Sequence, residues 1–164
     1  LAYAQKGLPV SVVRYFNAYG PRLDPQGYGS VIARFITQAL ARDPLTVYDD
    51  GRQTRCFTYV GDAVEGTLRA AALREAAGQV FNIGSNHETS INELAELMVT
   101  LTHSDSEITH VPYSAAYGVD FEETRRRVPD VSRARDVLGF EAQTPFEEGL
   151  RRTLAWFEEA RSER

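Results

Sequence analysis

Cysteine, histidine, methionine and tryptophan are all scarce in this 164-residue chain, which has one Cys, three His, one Met and one Trp. The lone Cys56 excludes an internal disulfide, and His87, His103 and His110 stand at no metal-ligand spacing with it, so no metal site is expected. Long apolar runs are missing too. No stretch approaches the roughly 20 consecutive apolar residues of a membrane span, and the start lacks the charged, apolar, small-residue layout of a signal peptide. A cytoplasmic protein with no membrane partner is therefore expected. Positive charge is in deficit: 18 Lys and Arg against 23 Asp and Glu leave a net charge of −5, which argues against a nucleic-acid footprint. An initiator methionine is absent as well. Leu1 falls inside what reads as a helix, LAYAQKG, closed by Gly7, so the chain is expected to be a piece of something longer.

What is present is a chain of 43% hydrophobic and 25% charged residues, enough for one domain with a real core and too little for two full ones. Val10 to Phe16 (VSVVRYF) is β-branched and aromatic and apolar on both faces, which predicts a buried strand of a parallel sheet. A loop from Asn17 to Gly29 follows. Ser30 then caps a helix with Val31, Ile32, Phe35, Ile36 and Leu40 on one face, ended by Asp43-Pro44. Leu45 to Tyr48 and Arg55 to Val60 read as strands of a hairpin about the Asp49-Asp50-Gly51 turn. Asp62 with Glu65, and Ser90 with Glu93, read as capping boxes; the first helix runs to about Ala77 and Gly78 closes it. Val80 to Ile83 is a short buried strand between the two helices. Thr144, Pro145 and Glu147 open a last helix with a stripe of Phe146, Leu150, Leu154 and Phe157. Strand and helix alternate, so the class is α/β, with too few strands for a complete doubly wound sheet.

Two motifs are decoys. Gly27-Tyr28-Gly29 begins like a dinucleotide fingerprint but lacks the third glycine and a preceding strand. Tyr3 and Lys6 resemble a catalytic Tyr–Lys pair, yet they are too close in sequence and sit where a helix ends. The cations are more telling. Arg55 interrupts an apolar and hydroxyl strand, QTRCFTYV, and a cation there needs an anion or water at its head, unless it is a plain edge-strand residue. Arg125-Arg126-Arg127 is either a solvated charge run or part of an anion site, and two arginines converging from distant segments would clamp a diphosphate. Asn17, at the carboxyl end of a strand, is a turn former or a ligand contact. Tyr48 is ordinary core or an aromatic plate for a base.

The segments RYFNAYGPR, LDPQGYGSVIARFI, PLTVYDDGRQTRCFTYVGD, FNIGSNHETSINELAEL and RRVPDVSRARDVLGFEAQTPFEEGL occur in this order. Together they resemble the C-terminal half of the NAD-dependent epimerase/dehydratase family, the extended short-chain dehydrogenases that act on nucleotide sugars. The resemblance implies the last strands of a Rossmann-type sheet plus the smaller substrate-binding lobe. Residues 1–28 would end the NAD-binding domain, and 29–164 would be mainly the nucleotide-sugar lobe, with 62–84 returning to the sheet. It places Tyr15 and Phe16 near the nicotinamide of NAD and Asn17 on the nucleotide-sugar diphosphate. Val31 and Ile32 would lie beside the uridine, Tyr48 on the base, and Arg55 and Arg127 on the diphosphate, with Arg126 as the fallback for Arg127. Gly20 and Pro21 would turn the chain out of the sheet. The family often has Gly at Asp49, Pro at Ala33 and Asp at Cys56, and Asp49 brings a carboxylate close to the expected base site.

The glycine-rich NAD loop, the catalytic Ser/Thr and the Tyr-x-x-x-Lys pair would all lie before Leu1, so no catalytic residue is expected among these residues. The implied substrate is a UDP-sugar and the implied activity hydride transfer at sugar C4, with homodimerisation usual for the family. Asp24-Pro25 and Gly27 favour a UDP-hexose 4-epimerase type. The alternatives are a UDP-glucuronate decarboxylase or dTDP-glucose dehydratase type, or a binding module without chemistry.

Overall fold

Local caps and turns set most element boundaries, and the computed structural model describes them over residues 5–24, 30–117 and 124–162. In chain order the elements are β1 (Val12–Tyr15), β2 (Ala18–Tyr19), α1 (Val31–Ala41), β3 (Leu45–Tyr48), β4 (Thr54–Cys56), β5 (Thr58–Tyr59) and α2 (Val60–Ala72). A 3-10 turn (Arg74–Ala76), β6 (Val80–Ile83), β7 (Glu88–Ser90), α3 (Ile91–Thr102), β8 (Ile108–Val111) and α4 (Tyr113–Tyr117) follow, then β9 (Arg126–Arg127), α5 (Ser132–Leu138) and α6 (Phe146–Ser162). The pairs β1·β6, β2·β5, β3·β8 and β4·β9 are all parallel, as an α/β chain requires. Tyr3 and the segment Pro25 to Gly29, which carries the epimerase-type signature and the glycine decoy, lie outside the described residues.

The chain divides into two units. The first comprises Leu1–Gly20, Cys56–His87 and Val128–Gly149. Here α2 lies on β1 and β6, and α5 packs against β6 and the 3-10 turn. Ala70, Phe81, Ile83, Ala134, Leu138 and Phe140 form its core. Gly66 makes the approach of α2 possible, because a Cβ there would come 2.7 Å from Ile83 Cγ2. The second unit comprises Pro21–Arg55, Glu88–Arg127 and Leu150–Arg164. In it α1 packs on α3 and both meet β3, burying Ile32, Phe35, Ile36, Leu45, Val47, Leu94 and Met98. Each such side chain contributes about 1.5–3 kcal/mol by leaving water.

Two caps form as the sequence predicts. Ser30 Oγ accepts from Ala33 N at 3.3 Å, and Ser90 with Glu93 closes both halves of a capping box. Other expectations are corrected. The strand Val10 to Phe16 shortens to β1 and is exposed, Val12 at 50% and Tyr15 at 51%, because among the described residues it pairs on one edge only. The loop after Asn17 contains β2. The hairpin is not formed: β3 pairs with β8, while β4 lies between β7 and β9. Turn chemistry at Asp49 (φ 54) and Gly51 (φ 66) reverses the chain without naming the partner strand. The strand Arg55 to Val60 is split, with Val60 already helical.

The Asp62–Glu65 box is likewise absent. Asp62 instead accepts from Gln143 N at 3.2 Å and Thr144 N at 3.1 Å, and Glu65 pairs with Arg69 at 2.7 Å. That helix ends at Ala72, five residues short of expectation, and the 3-10 turn carries the chain to Gly78. Asp62→Ala strands the backbone donors of Gln143 and Thr144 just ahead of α6, so it is expected to lower stability by about 1–2 kcal/mol, read as a drop in the urea midpoint. Asp62→Asn, which keeps one acceptor oxygen, should lose less.

Candidate functional site

The three-stranded sheet β7-β4-β9 sorts its side chains by parity, because successive residues of a strand point to opposite faces. Thr54 is in register with Arg126, and Arg55 with Arg127. One face carries a closed polar network: Thr54 Oγ1 donates to Glu88 Oε2 at 3.0 Å, and Arg126 Nε donates to the same oxygen at 3.0 Å. The other face brings together Arg55 and Arg127, the two arginines singled out in the sequence. Arg55 is 8% exposed and its Nη1 donates to Thr54 O at 2.8 Å. Arg125 is engaged elsewhere, donating to both carboxylate oxygens of Asp50 at 2.9 and 2.8 Å. Of the three consecutive arginines, Arg127 alone makes no ion pair among the described residues.

Arg126, first by its hydrogen bond, and Thr54 after it hold the Glu88 carboxyl below its ordinary value. The folded form therefore binds this proton more weakly than the unfolded chain. Its stabilising effect is present above the ordinary glutamate range and is lost as pH falls through the lowered value. Between pH 5 and pH 2 the thermal midpoint of the parent is expected to fall more steeply than that of Glu88→Gln.

A second cluster in the same unit surrounds Tyr48. The Arg34 guanidinium lies over its ring, with Cζ 4.6 Å from the centroid, and Tyr113 packs at 5.4 Å with planes tilted by 34°. Gln53 Nε2 donates to Tyr48 O at 3.2 Å and to Tyr113 Oη at 3.1 Å, which fixes both rings. Asp49, where the resemblance leads one to expect Gly often, adopts φ 54, and its carboxylate accepts from Tyr113 N at 3.1 Å. Asp and Asn tolerate this left-handed region better than most residues, so Asp49 is compatible with the turn. Val31 is half-buried in the first turn of α1, but Ile32 is 1% exposed in the core, so only its backbone is available to a ligand.

In the first unit Asn17 adopts φ 42, and its amide Nδ2 donates to Cys56 O at 2.8 Å. Phe16 is half-buried at the end of β1, and its carbonyl accepts from Thr58 Oγ1 at 2.8 Å. The Tyr15 hydroxyl lies 2.8 Å from Thr67 Oγ1. Phe16 lies in the bend just beyond β1, so the alternation of the strand does not fix its direction relative to Tyr15. Sequence reasoning missed Arg34, whose only local signal is a cation inside the apolar run VIARFI, and the Thr54–Glu88–Arg126 network, whose signal is nonlocal. Among the described residues no group of His, Cys, Asp or Glu could hold a metal ion, and no helix is long and apolar enough to cross a membrane.

The family model described as GDP-mannose 4,6 dehydratase matches residues 2–153. The UDP-N-acetyl-alpha-D-glucosaminuronate decarboxylase of Bacillus cytotoxicus is 50% identical over 97% of this chain and 49% of its own length. The UDP-glucose 4-epimerase of Thermotoga maritima, solved with UDP-glucose, superposes with a TM-score of 0.87 at 32% identity, over 96% of this chain and 48% of that one. The UDP-glucuronic acid 4-epimerase of Bacillus cereus, solved with UDP-glucuronic acid and NAD, gives 0.84 at 26% identity, over 96% and 48%. The chain thus spans about half the length of the relatives it matches. With its parallel pairs and these likenesses, the fold is that of a Rossmann-type extended short-chain dehydrogenase, and the chain belongs to the NAD-dependent epimerase/dehydratase family.

Proposed function

We propose that these residues are the nucleotide-sugar-binding, C-terminal share of an NAD-dependent enzyme that oxidises a UDP-hexuronate at C4 and releases its carboxyl group as carbon dioxide. The observation that carries the reading is the register of β4 with β9, which sets Arg55 beside Arg127 on the face away from the Glu88 network. Guanidinium pairs of this kind suit a diphosphate, bidentately and with charge assistance. Val31 and Tyr48 flank the base, and by the resemblance Asn17 is a diphosphate contact. Binding energy gathered at the base and diphosphate orients the distant reacting carbon.

NAD, when bound, supplies the hydride acceptor and donor. From this chain Tyr15, whose hydroxyl is 2.8 Å from Thr67 Oγ1, and Phe16 would lie against it. The first unit is read as the end of the dinucleotide-binding domain, with Val128–Gly149 joining the residues expected there, and the second as the substrate lobe. A cytoplasmic homodimer of the natural-length protein belongs to the same reading. No Tyr-x-x-x-Lys string occurs in the 164 residues, and on this reading the chain alone is expected to convert no UDP-sugar.

The decarboxylase reading is supported by the 50% identity to a uronate decarboxylase. The sequence signature at Asp24 to Gly27 and the likeness to a UDP-glucose 4-epimerase support the second reading, epimerisation at C4. Incubating the natural-length protein with NAD and UDP-glucuronate or its N-acetylglucosamine counterpart separates them. Carbon dioxide release supports the first, and a C4 epimer that keeps its carboxylate supports the second. Absence of UDP binding by calorimetry would overturn both.

A further inference from the structure

Arg34 stands in the first turns of α1 between Ala33 and Phe35, both fully buried. Its guanidinium is held in three ways: over the Tyr48 ring, 5.5 Å from the Phe35 ring centroid, and by Nη2 donating to Thr46 O at 3.1 Å. Nε is buried with no hydrogen-bond partner among the described residues, and no carboxylate there pairs with this cation. A guanidinium carries five N–H donors, and in this half-buried one the N–H groups that are neither buried nor bonded to Thr46 O are open to an acceptor, water or a ligand. Val31, one of the two residues read as flanking the base, precedes Arg34 by three positions and so lies on the same helix face. Tyr48, the other, is under the guanidinium itself. The plate is rigid, since Gln53 holds both Tyr48 and Tyr113.

We propose that Arg34 donates a hydrogen bond to a carbonyl oxygen of the nucleotide's base, and so selects uracil or another base carrying such a carbonyl over adenine, which has none. This rests on the nucleotide-sugar reading above. It is distinct from the roles of Arg55 and Arg127, which concern the diphosphate that UDP and ADP share.

UDP and ADP share ribose and diphosphate and differ only in the base, so they isolate the effect. Titrated by calorimetry into the natural-length protein, Arg34→Met is expected to weaken UDP about ten- to a hundredfold and to change ADP by less than about twofold. Arg34→Lys keeps a cation on the ring without the planar fork, and should fall between parent and Arg34→Met for UDP. Thermal unfolding of both variants checks the fold, and Arg34→Lys carries the test if Arg34→Met is unstable. Equal losses for UDP and ADP, or unchanged UDP binding in both variants, would overturn the assignment. A parent that binds neither nucleotide would overturn the nucleotide-sugar reading itself.

Discussion

Arg55→Ala and Arg127→Ala, each made in the natural-length protein, are expected to weaken UDP binding by about 1.5–3 kcal/mol, roughly ten- to a hundredfold. Each change would remove a charge-assisted contact to the same anion. The two positions are register partners on adjacent parallel strands, so their Cα atoms lie only about 5 Å apart and one diphosphate reaches both. Groups that share a ligand couple, and the double variant should depart from the sum of the single losses. Arg126→Ala is the internal control. Its guanidinium is taken up by Glu88 on the opposite face, so UDP affinity should hold while the pH dependence of stability flattens. Because Arg55 is buried, Arg55→Lys separates lost packing from lost recognition: the stem remains and the bidentate fork does not. Calorimetric titration of UDP decides the matter. If both alanine variants match the parent, or if Arg126→Ala costs more than Arg127→Ala, the clamp is not there.

The same residues show what a sequence discloses and what it withholds. Ser30 and Ser90 were legible because a cap is a contract between residues three apart, written in adjacent letters. Asp62 carries the same letters, yet its partners are the amides of Gln143 and Thr144, and nothing local distinguishes the two cases. The Asp49-Asp50-Gly51 turn was recognisable as a turn but not as the exit from a strand whose partner is β8. Arg55 and Arg127 could be nominated together only through the family resemblance. Their adjacency depends on β4 lying beside β9, a pairing that no periodicity encodes. Which of the three arginines shares a face with Arg55 follows from parity once that register is known, since Thr54 fixes the face of Arg126. Arg34 needed the fold: in the sequence it is one cation in a helix, and only packing shows it lying on Tyr48.

Gly149→Ala is expected to be the most destabilising of the single substitutions considered, at about 3 kcal/mol, because the new methyl has nowhere to go. A Cβ at this position would collide with Tyr19 Oη, lie 2.9 Å from Tyr19 Cζ and 3.1 Å from Tyr59 Cδ2. Tyr19 cannot retreat freely. Its hydroxyl donates to Phe146 O at 3.1 Å, and its ring meets Tyr59 and Phe146 edge-on at 5.9 and 5.6 Å, with Phe57 stacked on Phe146 behind. Removing the hydroxyl should therefore relieve part of the strain. Tyr19→Phe alone forfeits one hydrogen bond, about 1 kcal/mol, but in the Gly149→Ala background it also deletes the closest contact, so the pair should cost less than the sum. Burial, with Asp62 and Tyr59 adding to it, pushes the Tyr19 phenol above the ordinary tyrosine range. The folded state thus keeps a proton that the unfolded chain releases from about pH 10, and stability is lost as pH rises beyond that point. Urea unfolding of the four variants of this cycle at pH 7 and pH 10.5 checks both effects. Additive losses, or an alkaline fall as steep in Tyr19→Phe as in the parent, would mean that Tyr19 is not clamped between Gly149 and the aromatic cluster.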